Sequence, residues 1–257
     1  MPEVPLDDGE DRSVLEREPP TPQDQWAYGD RPDQVADLFF PGRPEHRTVV
    51  LIHGGFWRPA YDRSHLRPIA ASLADAGFPV VIPEYARQPG DPDRSLGDLR
   101  LLLDVLPTRL GGEGVTLAGH SAGGHLALVL AATAPAVVSG VLALAPVADL
   151  VDADQADLDN GAVRDFLGGP AWLRGDMDPV RLPRPSVPVR LLHGMTDRLV
   201  PIRLSETYSA RQKVPLAALA GVGHFELIDP LSPAWPAVLA ELRSLEASRV
   251  LNGGRDR

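Results

Sequence analysis

The chain has 257 residues, 44% of them hydrophobic, enough for one large α/β domain or two small ones with a substantial core. It contains no cysteine, which excludes a disulfide scaffold, a thiolate nucleophile and any metal site built on thiolates. The net charge of −10 argues against a nucleic-acid partner. No apolar stretch approaches the roughly 20 residues needed to cross a bilayer, and the acidic N-terminus lacks the basic-then-apolar order of a secretory signal, so the sequence reads as a soluble, cytoplasmic protein without a membrane partner.

Residues 1–25 hold eight acids against Arg12 and Arg17, a net of −6, together with Pro2, Pro5, Pro19, Pro20 and Pro22. With few large apolar side chains to offset its ordering entropy, this segment is expected to be a disordered or loosely attached arm. From residue 26 onward, short apolar runs alternate with longer helical segments, the pattern of an α/β sheet protein. Strands are predicted at Val35–Phe40, Thr48–His53, Pro79–Pro83, Val115–Ala118, Gly140–Ala145, Val189–His193 and Leu216–Ala220, several being the near-continuous Val, Leu, Ile and Ala of strands buried on both faces. Helices are predicted at Leu66–Ala76, Ser95–Leu106, Ala122–Ala132, Ile202–Lys213 and Pro233–Leu251, with Gly77 placed to stop the first and Pro233 to start the last. Residues 149–188 break the alternation. They are rich in acids, Gly and Pro around short helical pieces such as Ala162–Leu167, and an insertion of this length between core strands is expected to be a cap, lid or pocket wall.

The strongest chemical signal is Gly119-His120-Ser121-Ala122-Gly123, set between a predicted strand and a predicted helix. Gly-x-Ser-x-Gly in that setting is a nucleophile elbow, a strained turn that lifts the serine hydroxyl above the sheet edge. Its glycines are needed where the helix packs too close to the strand for a Cβ, and the amide of Ala122 at the helix N-terminus points toward a developing oxyanion. The second motif, His53-Gly54-Gly55-Phe56-Trp57, follows another strand, and its consecutive glycines let the backbone approach a bound carbonyl. The backbone amides of Gly54, Gly55, Phe56 and Ala122 are therefore the candidate oxyanion hole. Phe56 and Trp57 beside it suit a pocket wall.

A nucleophilic serine needs a base, and the base an orienting acid. Of seven histidines, His46 and His65 lie in polar connections and are expected to be solvated. His53 and His193, at strand ends before glycines, suit the bracing of loops. His120 and His125 flank the serine but cannot readily turn back onto its hydroxyl. His224, in Gly221-Val222-Gly223-His224-Phe225 just after the last core strand, is the candidate base. Asp197, in His193-Gly194-Met195-Thr196-Asp197, comes off the neighbouring strand end and is the first choice for the acid; Asp149 and Asp229 compete with it.

The order Ser121…Asp197…His224 is that of α/β-hydrolases, which the chain resembles from about residue 26 to 250. The strings His53-Gly-Gly-Phe-Trp57 and Gly-His-Ser121-Ala-Gly-Gly-His125, with Tyr28-Gly, Ala36-Asp-Leu-Phe-Phe-Pro41 and Gly223-His-Phe-Glu226, most resemble the kynurenine formamidase (arylformamidase) family and its esterase relatives. The resemblance implies a mostly parallel central sheet flanked by helices with a small cap insertion. It also implies a small-molecule substrate, either an N-formyl aromatic amide or a small ester, cleaved without metal or organic cofactor. Trp57, Tyr61, Tyr85 and Met195 are further pocket candidates. A homodimer would suit the family, though no residue decides it. A non-catalytic ligand-binding relative is the reading from another class; its relatives often lose a triad member, and all three stand here. A lipase would want a more apolar lid than the acid-rich 149–165 stretch. A peptidase of this fold usually brings a larger cap or an extra domain.

Overall fold

Strands made of unbroken aliphatic side chains can be covered on both faces, and helices on either side of a parallel sheet provide that cover. A computed structural model describes residues 9–111, 114–133 and 136–250, with side chains described through Glu246. In chain order its elements are α1 (Ser13–Glu16), β1 (Asp24–Ala27), β2 (Val35–Phe39), β3 (Val49–Ile52), α2 (Arg67–Asp75), β4 (Val80–Pro83), α3 (Pro92–Leu110), β5 (Val115–His120), α4 (Ala122–Thr133), β6 (Val138–Leu144), α5 (Leu150–Gln155), α6 (Ala162–Leu167), β7 (Val189–Gly194), α7 (Arg203–Gln212), β8 (Leu216–Leu219) and α8 (Trp235–Val250). Every residue of β3, β4 and β5 is buried.

The described strands form one sheet of eight in the order β1-β2-β4-β3-β5-β6-β7-β8. β2 pairs antiparallel with both β1 and β4, and every pairing from β4 to β8 is parallel. One core layer is filled by leucines of α3 and α4 with Leu204 and Tyr208 of α7, the other by α2 and α8. The helix α4 is Ala- and Leu-rich and buried almost all round, so it lies against the middle of the sheet. This is the mostly parallel, helix-flanked sheet that the resemblance implied. Its consequence for function is geometric: the loops leaving β3, β5, β7 and β8 all emerge at the carboxyl edge of the sheet, where α/β proteins place their sites.

Three features depart from the sequence expectations. Strand β1 was not foreseen, because Asp24-Gln-Trp-Ala27 is an edge strand exposed on alternate residues and carries no aliphatic run. The N-terminal segment, expected to be disordered or loosely attached, is docked through Glu10, Arg12, Val14 and Arg17; residues 1–8 lie outside the described residues. Val14 is 2% exposed and joins the α2/α8 layer, Arg12 lies over the Phe225 ring at 5.1 Å, and Arg17 pairs with Asp229. One anchored valine, a cation–π contact and an ion pair hold the segment against a surface that the folded domain supplies. The connection between β6 and β7 holds α5, α6 and two 3₁₀ turns, so the 149–188 insertion is ordered, with Ala162–Leu167 helical as expected. Helix α3 starts earlier than the predicted Ser95, because Asp91 caps it by accepting the Arg94 amide and Pro92 occupies its first turn. No helix among the described residues is long and apolar enough to cross a membrane.

Candidate active site

Ser121 follows β5 at φ +56°, a left-handed conformation that a serine adopts only when its surroundings enforce it. Its amide donates to the Leu144 carbonyl at 2.9 Å, and its own carbonyl accepts from the His125 amide at 3.0 Å as α4 begins. The flanking glycines are sterically required: a Cβ on Gly123 would enter the carbonyls of Ile52 and His53, and one on Gly119 the carbonyl of Gly123. Helix α4 therefore lies directly on the ends of β3 and β5, and Ala122 presents the first amide of a twelve-residue helix beside the serine.

The second glycine motif is packed against this turn. A Cβ on Gly54 would come within 2.8 Å of the His120 carbonyl and 2.9 Å of Ser121 Cβ, so the Gly54–Trp57 loop abuts the serine itself. Phe56 (φ 48°) and Trp57 (φ 55°) continue the loop in left-handed conformations. His53 braces it from beneath, with the Gly54 carbonyl 2.9 Å from Nδ1 and the Glu84 carboxylate 3.0 Å from Nε2. Burial and the neighbouring Arg87 charge push the His53 imidazole down to about 3, so it is a neutral brace at pH 7.

The candidate base and acid are joined. His224 Nδ1 is 2.6 Å from Asp197 Oδ2, and the other carboxylate oxygen accepts the amides of Leu199 at 2.9 Å and Val200 at 2.7 Å. Burial alone would raise the Asp197 carboxyl, but the His224 charge, the bonds from His193 and His224 and the Val200 amide outweigh it and hold it well below the usual carboxylate range. Nδ1 is thereby committed to Asp197, which leaves Nε2 as the candidate nitrogen for Ser121. The serine hydroxyl makes no hydrogen bond to it in this arrangement, a contact that commonly tightens only with substrate. The competing acids are occupied elsewhere: Asp149 caps α5 by accepting the Asp152 amide, and Asp229 pairs with Arg17.

One supporting residue escaped the sequence reading, although it sits inside the serine motif. The His120 ring packs on that of His224, with centroids 4.4 Å apart, and its Nε2 is 3.1 Å from the His224 carbonyl. Burial, and then the His224 charge, lower His120 far enough to keep it neutral. With Nε2 engaged by the His224 carbonyl, His120 holds the histidine loop beside the elbow. His193 braces as expected, with Nδ1 2.7 Å from the Ser205 hydroxyl and Nε2 2.8 Å from the Val200 carbonyl. His46 and His65 are less solvated than expected: His46 stacks on Phe78 at 4.0 Å and meets Glu246 at 2.6 Å, while His65 lies edge-on to His53 at 5.9 Å.

The pocket candidates separate. Tyr85 is fully buried, stacked on His53 at 4.4 Å with its hydroxyl donating to the His53 carbonyl at 2.8 Å, so it is a core brace and not an open wall. Trp57 is also buried, stacked on Phe166 of α6 at 4.6 Å and edge-on to His125 at 5.1 Å, and it ties the elbow helix to the 149–188 insertion. Tyr61, against Gly55, and Met195, before the acid loop, are exposed at the same edge. Among the described residues no three His, Asp or Glu side chains are grouped to hold a metal ion.

Comparison with known proteins agrees with this architecture. Residues 49–256 match the model of the alpha/beta hydrolase family. Over 111 residues the chain is 32% identical to kynurenine formamidase of Danio rerio, covering 41% of this chain and 37% of that protein. It is also 34% identical over 123 residues to the non-reducing polyketide synthase mapC of Penicillium roqueforti (strain FM164), 40% of this chain and 5% of that one. The chain thus spans well under half the length of either curated relative. Among solved structures, esterase B from Lactobacillus rhamnosis aligns with a TM-score of 0.71 at 23% identity over 92% of this chain and 89% of that one. A hyperthermophilic esterase from Pyrobaculum calidifontis aligns with a TM-score of 0.68 at 20% identity over 84% and 80%.

Proposed function

Because this chain belongs to the alpha/beta hydrolase family, we propose that it is a serine hydrolase cleaving small amide or ester bonds through Ser121, His224 and Asp197. The observation that carries the reading is the enforced left-handed conformation of Ser121 directly against Gly54, in a chain whose His224 and Asp197 are paired 2.6 Å apart. His224 takes the proton of the Ser121 hydroxyl as its oxygen attacks the carbonyl carbon. The tetrahedral oxyanion is held by main-chain N–H groups of Gly54, Gly55, Phe56 and Ala122. Asp197 keeps the proton on Nδ1 and stabilises the imidazolium. His224 then protonates the departing amine or alcohol as the carbon–nitrogen or carbon–oxygen bond breaks, and water, deprotonated by the same imidazole, releases the acid and restores Ser121.

Within that class we favour N-formyl aromatic amides, on the His53-Gly-Gly-Phe-Trp57 string and the similarity to a kynurenine formamidase. A small-acyl carboxylesterase is the alternative, favoured by the fold's likeness to esterases such as that of Lactobacillus rhamnosis. Residues 149–188 act in either case as the cap over the site, reached from below through Trp57 and Phe166.

Hydrolysis of N-formylkynurenine and of p-nitrophenyl acetate by the wild type and Ser121→Ala tests both levels. The variant is expected to lose several powers of ten in kcat on whichever substrate is turned over, because the triad acts as a unit. Retained turnover overturns the serine mechanism. Formamide turnover far above ester turnover supports the formamidase reading, and ester turnover alone replaces it with the carboxylesterase.

A further inference from the structure

We propose that Glu10 is a positioning residue for this site, a clamp from the N-terminal segment that fixes the acid loop and the histidine loop relative to one another; the inference rests on the triad reading above. The two carboxylate oxygens of Glu10 are divided between the two loops. Oε1 accepts the Arg198 amide at 2.6 Å, next to Asp197, and Oε2 accepts the His224 amide at 2.7 Å. These partners are 188 and 214 residues away in sequence. The fit is close, since a Cβ on Gly223 would strike Oε2. Bonds from backbone amides to a carboxylate are short and about twice as strong as neutral ones.

The rest of the segment is built to hold Glu10 there. Arg12 covers Phe225, Val14 is buried in the α2/α8 layer and Arg17 pairs with Asp229, so three further contacts of the segment converge on the stretch that begins at His224 or on the layer beneath it. His120 fixes the same residue from the other side through its carbonyl. The backbone of His224 is thus gripped at its amide by Glu10 and at its carbonyl by His120, while Asp197 holds the ring. Catalysis is sensitive to this placement, because a 1 Å error in a catalytic group can cost about a hundredfold in rate.

The test is steady-state kinetics on p-nitrophenyl acetate, or on N-formylkynurenine if only that is turned over, for the full-length wild type, Glu10→Ala, Glu10→Gln and Ser121→Ala, well below each protein's melting temperature. Glu10→Gln keeps the shape but turns one acceptor into a donor facing a backbone N–H, so it remains informative should the alanine variant fold poorly. Both Glu10 variants are expected to lose about ten- to a hundredfold in kcat with KM within about twofold. A wild-type kcat in Glu10→Gln, or a loss confined to KM, overturns the clamp while an inactive Ser121→Ala leaves the triad standing. An active Ser121→Ala overturns both.

Discussion

Asp197 collects more hydrogen bonds than an orienting acid needs for a single imidazole. Its Oδ1 holds its own loop through the Leu199 and Val200 amides, its Oδ2 faces His224, and His193 stands 3.3 Å away. An asparagine can satisfy the loop only by turning its amide N–H₂ toward Nδ1. The imidazole would then carry its proton on Nε2 and could not accept one from Ser121. Asp197→Asn is therefore expected to lower kcat by about 10⁴ with the fold intact, measured on the substrate that the wild type turns over best. The carboxyl is depressed in the folded state, so its stabilising contribution is complete above the ordinary carboxylate range and is lost as pH falls through its lower folded value. The stability gap between wild type and variant should accordingly narrow in acid, as thermal melts across pH would reveal.

Among the elements, the β6–β7 connection contains a second buried carboxyl with the opposite behaviour. Asp178 is fully buried; its Oδ1 accepts the Leu150 amide at 3.0 Å, while Oδ2 has no partner. Burial pushes the carboxyl up to about 6, the Leu150 bond opposes that rise, and the nearby Asp149 charge adds to it. A raised folded value means that the group's stabilising effect is complete below the unfolded value and is lost as pH rises through about 6. Asp178→Asn keeps the bond to Leu150 and removes the charge. Relative to wild type it should be most stabilising at about pH 8, by up to about 3 kcal/mol, with the advantage shrinking toward about pH 4. Melting curves that stay parallel across this range would show that the carboxylate is solvated. The same connection shows what sequence reading reaches at this scale. Ala162–Leu167 was legible as a helical piece between Gly161 and Gly168, whereas the stacking of Phe166 on Trp57 joins segments 109 residues apart in number and leaves no mark in either.

Across the whole fold, the 149–188 insertion is fastened to the Gly54–Trp57 loop through Arg58, whose guanidinium reaches Asp159 at 2.8 Å and Asp165 at 2.6 Å. These groups are partly solvated, so Arg58→Ala should cost less than about 1 kcal/mol in stability. Its effect should instead fall on substrate capture, raising KM at low salt, with the difference from wild type closing near about 1 M salt as screening weakens the pairs. Equal KM values at low salt would show that the insertion is held by Trp57 and Phe166 alone.

The sheet's central strands, the serine turn, the glycine-rich loop beside it and the candidate base were legible from local sequence. Each depends on constraints acting within a few residues: unbroken aliphatic runs for buried strands, glycines where a Cβ would meet backbone, and a histidine just past a strand end. Which acid faces His224 was not legible there, since Asp149, Asp197 and Asp229 all follow plausible elements and only the return of the chain places one against the imidazole. Nor was it legible there that Tyr85 and Trp57 are braces, that His120 supports His224, or that an acidic segment with the composition of a loose arm docks with Glu10 between two loops. Those outcomes arise from contacts between segments far apart in the chain, and such contacts depend on surfaces that exist only once the sheet has formed.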